Sequence, residues 1–373
     1  MGVAMRRLLP LVAVALSCCV GCGRRADSVA TDGVAAVSRA EVTLCGVDSL
    51  MALMSVEERV GQLFMPACFT VADAATVRRL VRYVADEKVG GIVFLRGDTA
   101  SMLALSRMLR GHARVPLFLA MDAEWGLGMR LRDAECFPHN SRLSGASEAQ
   151  MYDYGFRVGT QASRLGLNMI LGPVLDVASS GASVMADRSY GGDPAMVADL
   201  GVAYARGLRD GGVYPVAKHF PGHGSTSVDS HRALPVIVRG REALDSIDLL
   251  PFRRYVDQGF PAVMAGHMAV PALSGDSVPA SVSPAVLTGV LREAMGFGGL
   301  VLTDAMNMDA VGSSSGVYVA SLLAGADIIL VPGDTRGAID EVIGALRDGS
   351  LPAWVVNDRC RRVLLYKSYL GDQ

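Results

Sequence analysis

Neither sign of charge prevails in this chain: Lys plus Arg number 35 and Asp plus Glu 37 over 373 residues, a formal net charge of −2. Without a basic surplus there is no electrostatic footprint for nucleic acid or an anionic membrane surface, so a neutral or mixed ligand is expected. Charged residues are scarce, 19% against 51% hydrophobic, with 42 Gly and 16 Pro. That balance excludes a disordered chain, collagen and a coiled coil. No CxxC pair occurs among the scattered Cys45, Cys68, Cys136 and Cys360, which define neither a zinc site nor a disulfide framework and are expected as buried thiols. No GxGxxG turn follows an early strand-like run, which weakens the case for an open doubly wound sheet.

At roughly 150 residues per domain the length suits two or three domains, or a single α/β barrel with long loops. The amino terminus reads as an export signal: Arg6 and Arg7 form a basic region, and residues 8–20 an apolar stretch too short to span a membrane. Cys18, Cys19 and Cys22 lie at its end, as in a bacterial lipoprotein, where a small residue precedes the lipidated Cys. Gly21 before Cys22 fits, with Cys18 after Ser17 as the alternative. Residues 1–22 are therefore expected as a lipoprotein-type signal peptide, 23–43 as a flexible tether rich in Ser, Ala, Gly, Asp and Arg, and 44–373 as the folded domain. The protein is expected to be exported and lipid-anchored to the cell envelope, in the periplasm or outer membrane.

Past the tether, eight short apolar runs recur at 62–69, 91–95, 116–121, 168–174, 213–217, 262–265, 300–302 and 327–331. Helix signals lie between them. Ser55 with Glu58 makes a capping box, Asp193-Pro194 opens a helix that stops at Gly211 and Gly212, and Ser283-Pro284 opens another that stops near Gly296. Apolar strands alternating with amphipathic helices predict a parallel sheet covered on both faces, and eight units permit a single-domain (β/α)8 TIM barrel. Function then belongs at the carboxyl ends of the strands.

Ionisable residues follow five of the runs: Asp122 and Glu124, then Asp176, then Lys218 and His219, then His267, then Asp304. Any one of them has a bland alternative as a helix cap or loop hydrogen bond. The densest stretch, KHFPGHGSTSVDSHRALP at 218–235, holds three of the six histidines and is longer than a strand-to-helix turn requires. Within it Asp229 can fix the tautomer of His231 and make it a proton shuttle, unless His231 is only a surface histidine. A zinc site from His219, His223, Asp229 and His231 is the second chemical reading, although the H-x3-H spacing falls on a Pro/Gly turn and leaves Asp304 idle. Asp304 projects into the barrel mouth as a nucleophile or cation stabiliser, or caps the next helix.

These residues resemble a bacterial family 3 glycoside hydrolase of the β-N-acetylglucosaminidase (NagZ-like) type over about 53–371. The signature is KHFPGHG followed by DSH. DAE at 122–124, GPVLDV at 172–177, DRSYGGDP at 187–194, MAGHMAVP at 264–271 and TDAMNM at 303–308 support it. The resemblance implies a retaining mechanism without cofactor or metal, in which Asp304 attacks the anomeric carbon while His231, polarised by Asp229, protonates the departing oxygen and later activates water. It also implies that Asp122, Arg130, Arg188, Lys218 and His219 contact sugar hydroxyl and acetamido groups.

Where cytoplasmic relatives carry DQEGGRV this chain has DAEWGLG, so that Trp125 replaces a glycine and Leu127 an arginine. Trp125 is either a stacking platform for a sugar ring or a core aromatic. Ser225 and Ala305 stand where relatives are often acidic, and no second α/β domain is expected after the barrel. The expected function is an exo-β-N-acetylhexosaminidase acting on peptidoglycan fragments or related oligosaccharides. The alternatives are a phosphorylase or broader β-glucosidase with the same site, a metal-dependent barrel hydrolase, and a non-catalytic sugar-binding lipoprotein.

Overall fold

A computed structural model describes residues 39–178, 183–228, 233–308 and 315–370, with side chains from residue 46. The chain divides into two units, residues 1–39 and 40–373, and every described strand lies in the second. The signal peptide, Cys18 and Cys22 lie outside the described residues. The helix Arg39–Leu53 takes up residues 39–43, the last part of the segment read as a tether. Once a helix is nucleated, each further turn costs little, and Val47 anchors this one in the core.

All eight apolar runs carry strand. They give β1 (Phe64–Met65), β2 (Ala67–Thr70), β3 (Gly91–Gly97), β4 (Phe118–Met121), β5 (Met169–Ile170), β6 (Tyr214–Phe220), β7 (Ala262–Ala265), β8 (Leu300–Thr303) and β9 (Ile329–Leu330). The first run splits in two at Pro66, which has no N–H to give a ladder. Strands β2 to β8 pair in chain order as a seven-stranded, wholly parallel sheet, and β1 pairs in parallel with β9. The result is an α/β fold with a curled parallel sheet.

Side chains alternate across each strand, and both faces are apolar. Phe118, Ala120, Val216, Ala262, Met264, Leu300 and Leu302 join one buried cluster. Their sequence neighbours Leu119 and Met121 join a second, and Ala217, Val263, Ala265 and Val301 a third. This period of two explains why the strands read as continuous apolar runs. The expected helix starts are present: Ser55 and Glu58 cap each other, and the Asp193 side chain caps the helix Pro194–Asp210. The helical stretch after Pro284, Ala285–Ala294, is wound as a π-helix.

Cys68 and Cys360 are buried thiols, and burial pushes Cys360 up to about 12. Cys136 corrects the expectation. It is exposed, because it lies on an irregular segment between strand β4 and the helix Glu148–Arg164, where loops run over the surface. Among the described residues no helix is long and apolar enough to cross a membrane.

Candidate active site

A cavity of about 550 Å³ opens at the carboxyl ends of the strands. Asp122 directly follows β4, Asp304 directly follows β8, and both line it. Lys218 and His219 reach it from within β6, where the pairing with β7 slips between Ala217 and Phe220. A bulge of this kind re-aims side chains that a regular strand sends to opposite faces.

Opposite charges fill the wall. Lys218 Nζ donates to Asp122 Oδ1 at 2.7 Å and lies 2.8 Å from Glu124 Oε1. Arg130 Nη2 donates to Asp122 Oδ2 at 2.5 Å. Arg188 grips Glu124 at two points, Nε to Oε2 at 2.9 Å and Nη2 to Oε1 at 2.6 Å. Burial opposes ionisation of Asp122 and Glu124, but Lys218 overcomes it together with Arg130 at the first and Arg188 at the second, holding both carboxyls below their usual range. A buried ion network contributes little net stability, so its value here is a rigid array of charge-assisted donors and acceptors.

Behind this wall Asp176 is fully buried and does not line the cavity. Its Oδ2 pairs with His219 Nδ1 at 2.7 Å, and its Oδ1 accepts the His223 backbone N–H at 2.6 Å. Burial opposes its charge, yet His219 holds the Asp176 carboxyl below its ordinary value. An ionised carboxylate only accepts, so His219 Nδ1 carries the proton. His223 also lines the cavity, and burial pushes it down from the ordinary histidine value. In the sequence His223 stands out only as a metal-ligand type. The signal for its position is its flanking glycines: a Cβ on Gly224 would lie 2.2 Å from the Val177 carbonyl oxygen, and Gly222 has φ +132°.

Asp304 donates its backbone N–H to the Ala265 carbonyl at 2.8 Å, and its Oδ1 accepts the Ala305 N–H at 2.8 Å. Oδ2 has no hydrogen-bond partner among the described residues. Burial would raise this carboxyl, but His219, His267, the Ala305 N–H and Lys218 outweigh it and hold Asp304 below the usual carboxylate range. The capping alternative does not hold, because the next described helix, Val317–Ala324, opens at Gly316. His267 stands behind Asp304 rather than on the cavity, with Nδ1 at 2.7 Å from Ser281 Oγ and Nε2 at 3.1 Å from the Ala305 carbonyl. It braces the turn that holds the nucleophile candidate.

Asp122, Glu124, Arg130, Arg188, Lys218, His219 and Asp304 are thus brought together. Asp229 and His231 lie outside the described residues. Among the described residues, no group of three His, Cys, Asp or Glu side chains converges as a metal site. Trp125 is half-buried, lines the cavity and stacks on His139 with centroids 4.3 Å apart, so it is not a core aromatic.

Residues 55–365 match the family described as glycosyl hydrolase family 3 N terminal domain. The β-hexosaminidase LpqI of Mycobacterium tuberculosis is 35% identical over 389 aligned residues, covering 98% of each chain. A solved structure of M. tuberculosis LpqI has a TM-score of 0.75 and 35% identity, covering 85% of this chain and 95% of that one. A family 3 β-N-acetylglucosaminidase structure from Paenibacillus sp. FPU-7 has a TM-score of 0.78 and 32% identity over 85% of this chain, which spans 62% of that longer chain. With the match running from Ser55 to Leu365 and the charged wall at the strand ends, the chain belongs to glycosyl hydrolase family 3.

Proposed function

We propose that the protein is a retaining exo-β-N-acetylglucosaminidase that removes terminal N-acetylglucosamine from peptidoglycan fragments or related oligosaccharides. The observation that carries this reading is Asp304, a carboxylate favoured in its ionised form beside the charged wall of one cavity. An ionised aspartate in that place is a nucleophile for an anomeric carbon. In the first displacement Asp304 bonds that carbon, while the leaving oxygen takes its proton from His231, polarised by Asp229. In the second, His231 takes a proton from water, the water oxygen bonds the same carbon, and Asp304 is released. Asp122, Arg130, Arg188, Lys218 and His219 hold the sugar's hydroxyl and acetamido groups, since hydrogen bonds to charged groups are about twice as strong as neutral ones. The names of the relatives, a β-hexosaminidase and a β-N-acetylglucosaminidase, support the substrate class.

Incubation with a chromogenic β-N-acetylglucosaminide and with chitobiose, in phosphate buffer, tests the reading. Free N-acetylglucosamine, first formed as the β anomer, is expected. No turnover, an α first product, or release as sugar 1-phosphate overturns it.

We further infer that the sheet closes into the (β/α)8 TIM barrel. Two features support closure: the parallel bridge between Leu302 and Ile328, and the pairing of β9 with β1, which runs on into β2 after Pro66. Export with lipidation at Cys22 is likewise proposed, on the basic pair Arg6 and Arg7, the apolar stretch and Gly21. Palmitate labelling is expected to vanish in Cys22→Ser and to survive in Cys18→Ser, and the opposite result removes Cys22.

A further inference from the structure

We infer that Trp125, backed by His139, forms a stacking site for the second sugar ring, the one from which the terminal N-acetylglucosamine is cut. This rests on the proposed function and extends it to the leaving-group side. The lining holds both fully buried and half-buried residues, with Asp122, Arg130 and Arg188 half-buried beside Trp125. Glu124 and Lys218 are each 2% exposed, Trp125 is half-buried, and His139 is exposed to solvent. An enzyme that removes a terminal sugar closes over that sugar and lets the rest of the chain leave through the mouth. The ring next to the scissile bond therefore meets the half-buried part of the wall, where the indole is.

The indole is held on one face. His139 stacks on it at 4.3 Å with an interplanar angle of 14°. The Phe137 N–H donates to the Trp125 carbonyl at 2.9 Å, and Asn140 Nδ2 donates to the Arg188 carbonyl at 2.7 Å. The segment that carries His139 is thus tied to the backbone of both Trp125 and Arg188. A pyranose has an apolar C–H face that suits an aromatic ring, while its hydroxyls suit charged donors and acceptors. A cavity of about 550 Å³ falls in the range that encloses ligands larger than one sugar ring. A charged wall and a braced aromatic in one cavity of this size fit a disaccharide unit, not a monosaccharide alone.

Calorimetric titration of the full chain carrying Asp304→Asn, with N-acetylglucosamine and with chitobiose, tests this. Trp125→Ala in that background is expected to weaken chitobiose about tenfold and the monosaccharide by less than about twofold. Trp125→Phe is expected to keep most of the chitobiose affinity, and His139→Ala to lose part of it. His139 is exposed, so that variant is a second test that does not disturb the core. Equal weakening of both ligands by Trp125→Ala, or no weakening of chitobiose, overturns the stacking site alone. An Asp304→Asn parent that binds neither ligand overturns the proposed function and the stacking site with it.

Discussion

Arg188 Nη2 lies 3.3 Å from Nε2 of His219, whose other ring nitrogen is 2.7 Å from Asp176. A guanidinium only donates, and an ionised carboxylate only accepts. Together they fix the orientation of the ring, with Nδ1 turned to Asp176 and Nε2 turned to the charged wall. Since Arg188 also grips Glu124, one arginine links the charged wall to the histidine on β6.

Replacing Arg188 by Lys keeps the charge but loses the planar two-point grip and with it the contact to His219. We expect Arg188→Lys to lower kcat/KM by roughly 10- to 100-fold, mostly through KM. Steady-state kinetics on a chromogenic N-acetylglucosaminide checks it. A change of less than about threefold removes Arg188 from substrate binding.

Asp304→Asn removes the nucleophile while keeping its shape. Turnover is expected to fall by about a thousandfold or more, with the unfolding free energy within about 1 kcal/mol of the parent. Because Asp304 is held below the usual carboxylate range, it loses its charge only in more acidic solution than an ordinary aspartate does. The part of the acid limb of the parent's kcat/KM due to this group should lie below that range. Parent-like turnover in the variant assigns the nucleophile elsewhere.

Much of this site was legible because it is encoded locally. Strand ends can be read from apolar runs, and a carboxylate directly after a run, such as Asp122 or Asp304, falls at the mouth by the geometry of the fold. Asp176 and His267 also follow runs, but they are turned away from the cavity to hold His219 and the Ala305 turn, and chain position does not reveal that orientation. The exposure of Cys136 is not legible, because it is set by the path of an irregular loop, which has no periodicity to read. The stacking of Trp125 on His139 joins residues from separate segments, so no local pattern announces it.

Gly224 passes against the backbone at Val177, the residue after Asp176. An added Cβ would sit 2.2 Å from the Val177 carbonyl oxygen and 2.4 Å from its carbonyl carbon, and backbone has little room to give. Gly224→Ala is therefore expected to cost roughly 1–3 kcal/mol and to displace His223. It should also lower kcat, because the chain between His223 and His231 starts there. Urea unfolding and kinetics measured side by side check both effects, and a variant that matches the parent in each shows the contact to be slack.

Lys367 is buried in the core, where Nζ donates to Gln62 Oε1 at 2.6 Å and lies 5.4 Å from the centre of the Phe118 ring. Burial lowers it from 10.5 to about 7. An unfolded lysine holds its proton up to the ordinary value, so between about pH 7 and pH 10 the unfolded state binds more protons and stability from this group rises with pH. At about 1.4 kcal/mol per unit, the penalty below pH 7 is of the order of 4–5 kcal/mol. Lys367→Met, similar in length and uncharged, loses the Gln62 hydrogen bond but escapes that penalty. We expect it to be more stable than the parent at pH 6 by roughly 2–4 kcal/mol, with the advantage shrinking towards pH 10. Denaturant unfolding of both proteins across that range measures the difference. An advantage that does not change with pH means that Lys367 keeps its proton in the fold, and then the Gln62 oxygen and the Phe118 ring suffice to hold a buried charge.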